Sequence, residues 1–183
     1  MTKPTKALII QDVQVDFLPG GGYPVPKGNE VIDPINHLIK KFRDKHWLII
    51  FTRDWHPTGM NHCVKNTPGA EFPKNLDYRN NDILISKGED TSDKHFSGFN
   101  GDNLSLDKIL KENNIKNVFI AGLALDYCVL HTALDAVKYG YNTTVVVDAC
   151  RAINKNGTGE QKALDAMKHA QVQLVTTFAS LAI

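Results

Sequence analysis

Apolar positions along this chain recur in two alternating rhythms. Residues 7–10 form a continuous apolar run that stops at Gln11 and Asp12, as expected of a strand buried on both faces. Comparable short runs stand at 47–52, 83–86, 117–121, 143–147 and 172–176. Between them the spacing changes to the helical period. Val31, Ile35, Leu38, Ile39 and Phe42 fall on one face of an amphipathic helix. Leu106, Ile109 and Leu110 mark a second helix, with Asp102 or Ser105 available as its N-cap. Val129, Ala133, Ala136 and Val137 line a third, capped near Asp126 and ended by Gly140. A fourth covers residues 163–170.

Buried strands alternating with helices specify an α/β fold with helices on both faces of a parallel sheet. The expected architecture is a three-layer α/β/α sandwich of roughly six parallel strands. No repeat, low-complexity tract or charge block marks a linker, so residues 1–183 read as a single domain. Residues 54–82 carry little periodicity, and a loop of that length in a compact domain is either functional or a misread element. The three glycines at 20–22 follow the first strand, but no Gly-Lys-Ser/Thr follows them and the G-x-G-x-x-G spacing is absent. A turn accounts for them better than a phosphate loop.

Composition narrows the function classes. A formal net charge of +1 speaks against a polybasic nucleic-acid binder. The apolar runs are strand-sized, far short of the ~20 residues of a membrane span. The first residues, MTKPTK, precede too short an apolar stretch for a signal peptide. Three cysteines are too few and odd in number for a disulfide framework, which points to reduced thiols and a cytoplasmic setting. The partner expected is a small-molecule substrate, with no nucleic acid and no membrane; a homo-oligomer is compatible with all of this.

In open parallel sheets, sites form outside the carboxyl ends of the strands. Read in order, those ends offer Asp12, then Asp54 with His56, then Lys87, then the segment leading to Cys128. Each alone has an ordinary structural explanation: a turn carboxylate, a solvated amine, a small core thiol. Four such coincidences on one sheet edge are less economical than one shared site. Cys128 stands at the start of a predicted helix, where unpaired N–H groups and the dipole favour a thiolate. Lys87 would lower its pKa further, and Asp12 would accept the thiol proton. Cys63 and Cys150 are weaker candidates. Asp54 and His56, two apart in an extended segment, point to the same side. With His62 they make an Asp/His/His set suited to zinc, iron or manganese. His37, His46, His95, His131 and His169 are assigned no role.

Eight segments then appear in order: Asp12-Val-Gln-Val-Asp16-Phe17, Asp54-Trp-His56-Pro, His62-Cys-Val, Thr67-Pro-Gly-Ala, Lys87-Gly, Ser97-Gly-Phe99, Gly122-Leu-Ala-Leu-Asp-Tyr-Cys128-Val and Asp148-Ala-Cys-Arg151. Together they resemble the nicotinamidase/pyrazinamidase branch of the isochorismatase-like cysteine hydrolases, over nearly the whole chain. The resemblance implies that fold, and hydrolysis of nicotinamide to nicotinate and ammonia in NAD salvage, with pyrazinamide as a side substrate. It makes Asp12, Lys87 and Cys128 the catalytic triad, and Asp54, His56 and His62 the ligands of one divalent ion, zinc before iron or manganese. It aligns a non-proline cis peptide with Leu123–Ala124 and an oxyanion hole with the N–H groups of Ala124 and Cys128. Phe17, Phe96 and Tyr127 match pocket-lining positions. A related hydrolase of another small amide, or a non-catalytic ligand-binding domain on the same fold, are the alternatives.

Two departures stand out. Family members usually have fifteen or more residues between the Asp-x-His pair and the His-Cys-Val segment, often carrying a further ligand and a Trp-Pro. Here residues 57–61 alone intervene, so the expectation is a metal site with three protein ligands. Leu125 also replaces a usual threonine.

Overall fold

The computed structural model describes residues 5–175 of the 183-residue chain. Six strands form one parallel sheet: β1 (Lys6–Gln11), β2 (Leu48–Asp54), β3 (Ile83–Lys87), β4 (Asn117–Leu123), β5 (Asn142–Arg151) and β6 (Gln173–Val175). Their spatial order is β3-β2-β1-β4-β5-β6, and every pairing is parallel. The order reverses between β1 and β4, the switch point where a crevice opens at the carboxyl edge. Each expected run is a strand, β5 extending four residues beyond its expected end. The expected end of the last run, Thr176, lies outside the described residues.

The helices are α1 (Ile32–Asp44), α2 (Leu106–Glu112), α3 (Leu130–Lys138) and α4 (Gly159–His169). Alternation along β1 divides the core. Leu8 and Ile10 pack with Ile35, Leu38 and Phe42 of α1 on one face, whereas Ala7 and Ile9 join Leu110, Ala133 and Met167 on the other. That is the three-layer sandwich. β1 is buried along 7–11 because it is central and covered on both faces.

The caps separate the candidates. Ser105 accepts from the Lys108 N–H and starts α2, whereas Asp102 accepts from the Glu89 N–H instead. Gly140 (φ +86°) follows α3 as expected. Asp126 does not cap: its carboxylate accepts from the backbone N–H groups of Ile153 and Asn154, at 2.9 and 2.8 Å. It ties the loop after β5 to the chain after β4, and α3 is entered through a π-turn, Leu125–Val129. The Leu123–Ala124 peptide is cis, in agreement with the resemblance. One step earlier, Gly122 has φ +124°, and a Cβ there would lie 2.2 Å from the Gln11 carbonyl oxygen. Only glycine lets β4 run this close to β1.

Candidate active site

The carboxyl edge of the sheet gathers three buried ionisable groups around one amine. Lys87, the last residue of β3, is fully buried. Its Nζ lies 2.8 Å from Asp12 Oδ2, 2.6 Å from Asp54 Oδ1 and 3.7 Å from Cys128 Sγ. Asp12 follows β1 with φ +48°, a left-handed turn that bends its carboxylate out of the strand direction and into the cluster. Thr52 of β2 donates its hydroxyl to Asp12 Oδ1 at 2.6 Å. Cys128 sits in the π-turn after β4, and its sulfur lies within 4.8 Å of a carboxylate oxygen of both Asp12 and Asp54. The register of four parallel strands therefore assembles Asp12, Asp54, Lys87 and Cys128.

Charge and burial compete here. Burial opposes the charge on Lys87, but Asp12 and Asp54 outweigh it and hold the amine well above the usual lysine value. For Asp54, burial is outweighed by the charge and hydrogen bond of Lys87, and its carboxyl falls below the ordinary range. For Asp12 burial prevails over Lys87, with the nearby Asp54 charge adding to it, so its carboxyl rises. The Cys128 thiol is also pushed well up, by burial first and then by the two carboxylates, against Lys87. This corrects the expectation that Lys87 and the helix start would favour a resting thiolate. The thiol keeps its proton, beside a carboxylate made more basic than usual.

The second half of the site is built on loops. His56 is fully buried. Its Nδ1 lies 3.0 Å from the Gly88 carbonyl, which can only accept, so Nδ1 carries the proton and Nε2 offers a lone pair. Nε2 is buried without a hydrogen-bond partner. Gly88 has φ +100°, and a Cβ there would sit 2.6 Å from His56 Nδ1, so the ring rests directly on glycine backbone. His62 stands beside it, ring centroids 5.0 Å apart, with Nδ1 held by Asn61 Oδ1 at 2.7 Å. An orphaned buried imidazole nitrogen near a carboxylate and a second imidazole fits a divalent ion.

Two residues that sequence reasoning quoted without assigning them a role hold this half in place. Gln14 accepts from the Asp54 N–H at 2.8 Å and donates to the carbonyls of Asp54 and Ala70. Asp16 accepts from the N–H groups of Cys63 and Gly22, at 2.6 and 3.0 Å, pinning the glycine turn to the segment that carries His62. Both follow Asp12 at alternate positions, a polar i, i+2, i+4 pattern past the end of a buried strand, and that was the available signal. A third residue, assigned no role from the sequence, also stands in this half. His95 lies in the 3-10 turn Asp93–Phe96, its ring 5.2 Å from that of His56. One ligand atom each from Asp54, His56 and His95 lie within 4.8 Å of one another, a set that does not include His62. The His95 expectation is corrected: the turn after β3 brings residue 95 to the lining of the same cavity.

Between the two halves lies a cavity of about 270 Å³. Cys128 and Ala124 lie on one side of it, Asp54, His62 and His95 on another. Phe17, Phe96 and Tyr127, expected from the resemblance, all line it, with Tyr23 and Ile153 in addition. Phe96 and Tyr127 meet edge to face at 5.3 Å. Cys63 and Cys150 are free but buried in the core; burial raises both thiols, Cys150 to about 12.

Comparison with known proteins agrees with this geometry. The isochorismatase domain matches residues 6–179. The chain is 31% identical to the nicotinamidase of Escherichia coli over 203 aligned positions, covering 94% of this chain and 95% of that one. A solved pyrazinamidase of Pyrococcus horikoshii in complex with zinc superposes with a TM-score of 0.86 at 40% identity, over 95% of this chain and all of that one. A yeast nicotinamidase bound to the inhibitor nicotinaldehyde superposes at 0.83 with 29% identity, over 94% of this chain and 100% of that one. The chain belongs to the isochorismatase family. No helix among the described residues is long and apolar enough to cross a membrane.

Proposed function

We propose that this member of the isochorismatase family is a metal-dependent cysteine amidase that hydrolyses nicotinamide to nicotinate and ammonia. The observation that carries the reading is the single buried amine of Lys87 in contact with Asp12, Asp54 and Cys128 at once, below a cavity walled by imidazoles and aromatic rings. A cavity of about 270 Å³ has room for one six-membered ring bearing a carboxamide, and the faces of Phe17, Phe96 and Tyr127 suit a flat heteroaromatic ring.

Asp54, His56 and His62 would hold the divalent ion, zinc before iron or manganese. When bound, such an ion supplies Lewis acidity that a ring nitrogen or a water molecule can use. The chain's own residues do the covalent chemistry. Asp12 takes the proton from Cys128 Sγ as the sulfur bonds to the carboxamide carbon. The developing oxyanion is met by the backbone N–H groups of Ala124 and Cys128, a contribution of ~3–4 kcal/mol per donor in comparable sites. Asp12 then returns the proton to the departing nitrogen, the C–N bond breaks and ammonia leaves. Water, deprotonated by Asp12, opens the Cys128 thioester, and the sulfur recovers its proton as the acid is released. Lys87 stays charged throughout, offsetting the negative charge that moves between Asp12 and Cys128.

Nicotinate so produced re-enters NAD synthesis, and three free, buried thiols suit a reducing cytoplasm. Ammonia release with nicotinamide, pyrazinamide and aliphatic amides as rival substrates tests the reading. Nicotinamide is expected to be turned over best and pyrazinamide detectably; preference for an aliphatic amide would replace this reading with that of a related hydrolase.

A further inference from the structure

We propose that His95 is a fourth protein ligand of the metal, delivered from the turn after β3. The inference rests on the reading above that Asp54, His56 and His62 hold a divalent ion. The sequence between His56 and His62 is Pro-Thr-Gly-Met-Asn, which contains no carboxylate, imidazole or thiol. Any further protein donor has to come from another element. The structure brings one there.

Three observations converge on His95. Its ligand atom, with those of Asp54 and His56, lies within 4.8 Å of both others, a spacing that one ion between them would bridge. His95 Nδ1 faces the Ser92 carbonyl, so that nitrogen carries the proton and Nε2 is left with its lone pair. His56 is set the same way by Gly88, and His62 by Asn61. All three imidazoles therefore present the same nitrogen, each oriented by an oxygen behind it, the usual support of metal-bound histidine. His56 Nε2, facing the same group, is fully buried and has no hydrogen bond. His95 lines the same cavity as Asp54 and His62, and its ring lies 5.2 Å from that of His56.

The consequence is chemical. One carboxylate and three imidazoles would close a four-coordinate ion. An open position then requires an ion that accepts a fifth or sixth ligand, as zinc, iron and manganese can, rather than a strictly tetrahedral site. The Gly88 backbone ties the two imidazoles together, since it orients His56 and also begins the segment that carries His95.

The test uses the full chain stripped of metal and reloaded with zinc or cobalt(II) alone, comparing His95→Ala, His95→Gln and His56→Ala with the unmodified protein. Competition with a chromophoric chelator is expected to show at least tenfold weaker zinc binding in both His95 variants. The visible absorption of the cobalt protein is expected to shift in position and intensity as water replaces an imidazole. Unchanged affinity together with an unchanged cobalt spectrum in the His95 variants, with binding lost in His56→Ala, overturns the fourth ligand and leaves the metal site standing. Full zinc affinity in His56→Ala overturns the metal reading itself. A rise in KM with metal binding untouched would make His95 a substrate contact, and would also overturn the proposal.

Discussion

The floor of the cavity and its imidazole wall are constructed on opposite principles. Asp12, Asp54, Lys87 and Cys128 stand at or just past the ends of four parallel strands, and the ladder between β1, β2, β3 and β4 sets their spacing. His56, His62 and His95 stand on irregular backbone, held by contacts that reach across: the Asp16 carboxylate to the Cys63 N–H, the Gly88 carbonyl to His56 Nδ1. Strand ends are costly to move, because a shift in register would disturb the whole core. Loops can be shortened and their ligands drawn from elsewhere. The difference teaches that the strand-end cluster around Lys87 is the fixed part of this cavity, and the imidazole wall the adjustable part.

The sharpest way to break that contrast is at the floor. Cys128→Ala should lower kcat by at least ~10⁴-fold, as loss of a nucleophile does elsewhere, while circular dichroism and metal content stay as in the parent. Retained turnover, or trapping of a substrate analogue on Cys63, would remove Cys128 from the mechanism. Lys87→Ala should follow, in stability as well as activity. It leaves two carboxylates buried without their cation, a loss of about 3–5 kcal/mol, read as a lower denaturation midpoint in urea.

The wall should respond differently. His56→Ala is expected to lose the ion and nearly all activity with little change in unfolding midpoint, since no strand depends on that ring. Chelation should reproduce the effect and re-addition reverse it; full activity of the stripped protein would reopen a metal-free amidase. Gly88→Ala should be milder. The added methyl group would press on His56 Nδ1, 2.6 Å away, and weaken metal binding by roughly 10–100-fold, the range for a lost supporting contact. The smallest effect is on thiol labelling. Although its thiol is pushed up as well, Cys128 lines the cavity with Asp12 beside it to take the proton, and should be alkylated by a small reagent near neutral pH. Cys150, pushed up to about 12 by burial, and Cys63, raised likewise, should remain unlabelled while the protein is folded. Mass mapping that finds either one modified first would contradict the packing described for the core.

Much of the floor is legible in the chain, because a buried parallel strand announces itself as an uninterrupted apolar run and its polar terminus marks the sheet edge. Asp12, two residues past the run 7–10, and Lys87, just past the run 83–86, could be paired on that ground alone, and the fold class followed from the alternation of rhythms. The aromatic lining at Phe17, Phe96 and Tyr127 came from resemblance, since nothing in local pattern distinguishes a cavity ring from a core ring. Asp126 shows the limit of local rules. It has the right type and place for a helix cap, yet two N–H groups of a distant loop compete for its carboxylate and win.

What the sequence determined by itself is therefore the periodic part: strands, helices, and the chemistry that the strand ends carry to one edge. Tertiary structure alone decided the state of that chemistry and which imidazoles gather around Asp54. The Cys128 thiol is protonated because burial outweighs Lys87, and burial is a property of the packed molecule rather than of any spacing. His95 sits in a turn with no period to reveal it, thirty-nine positions from His56, and only the packing of that turn against the cavity brings the two rings together. Periodicity records which faces a segment buries against its neighbours; it holds no record of where an irregular loop comes to rest.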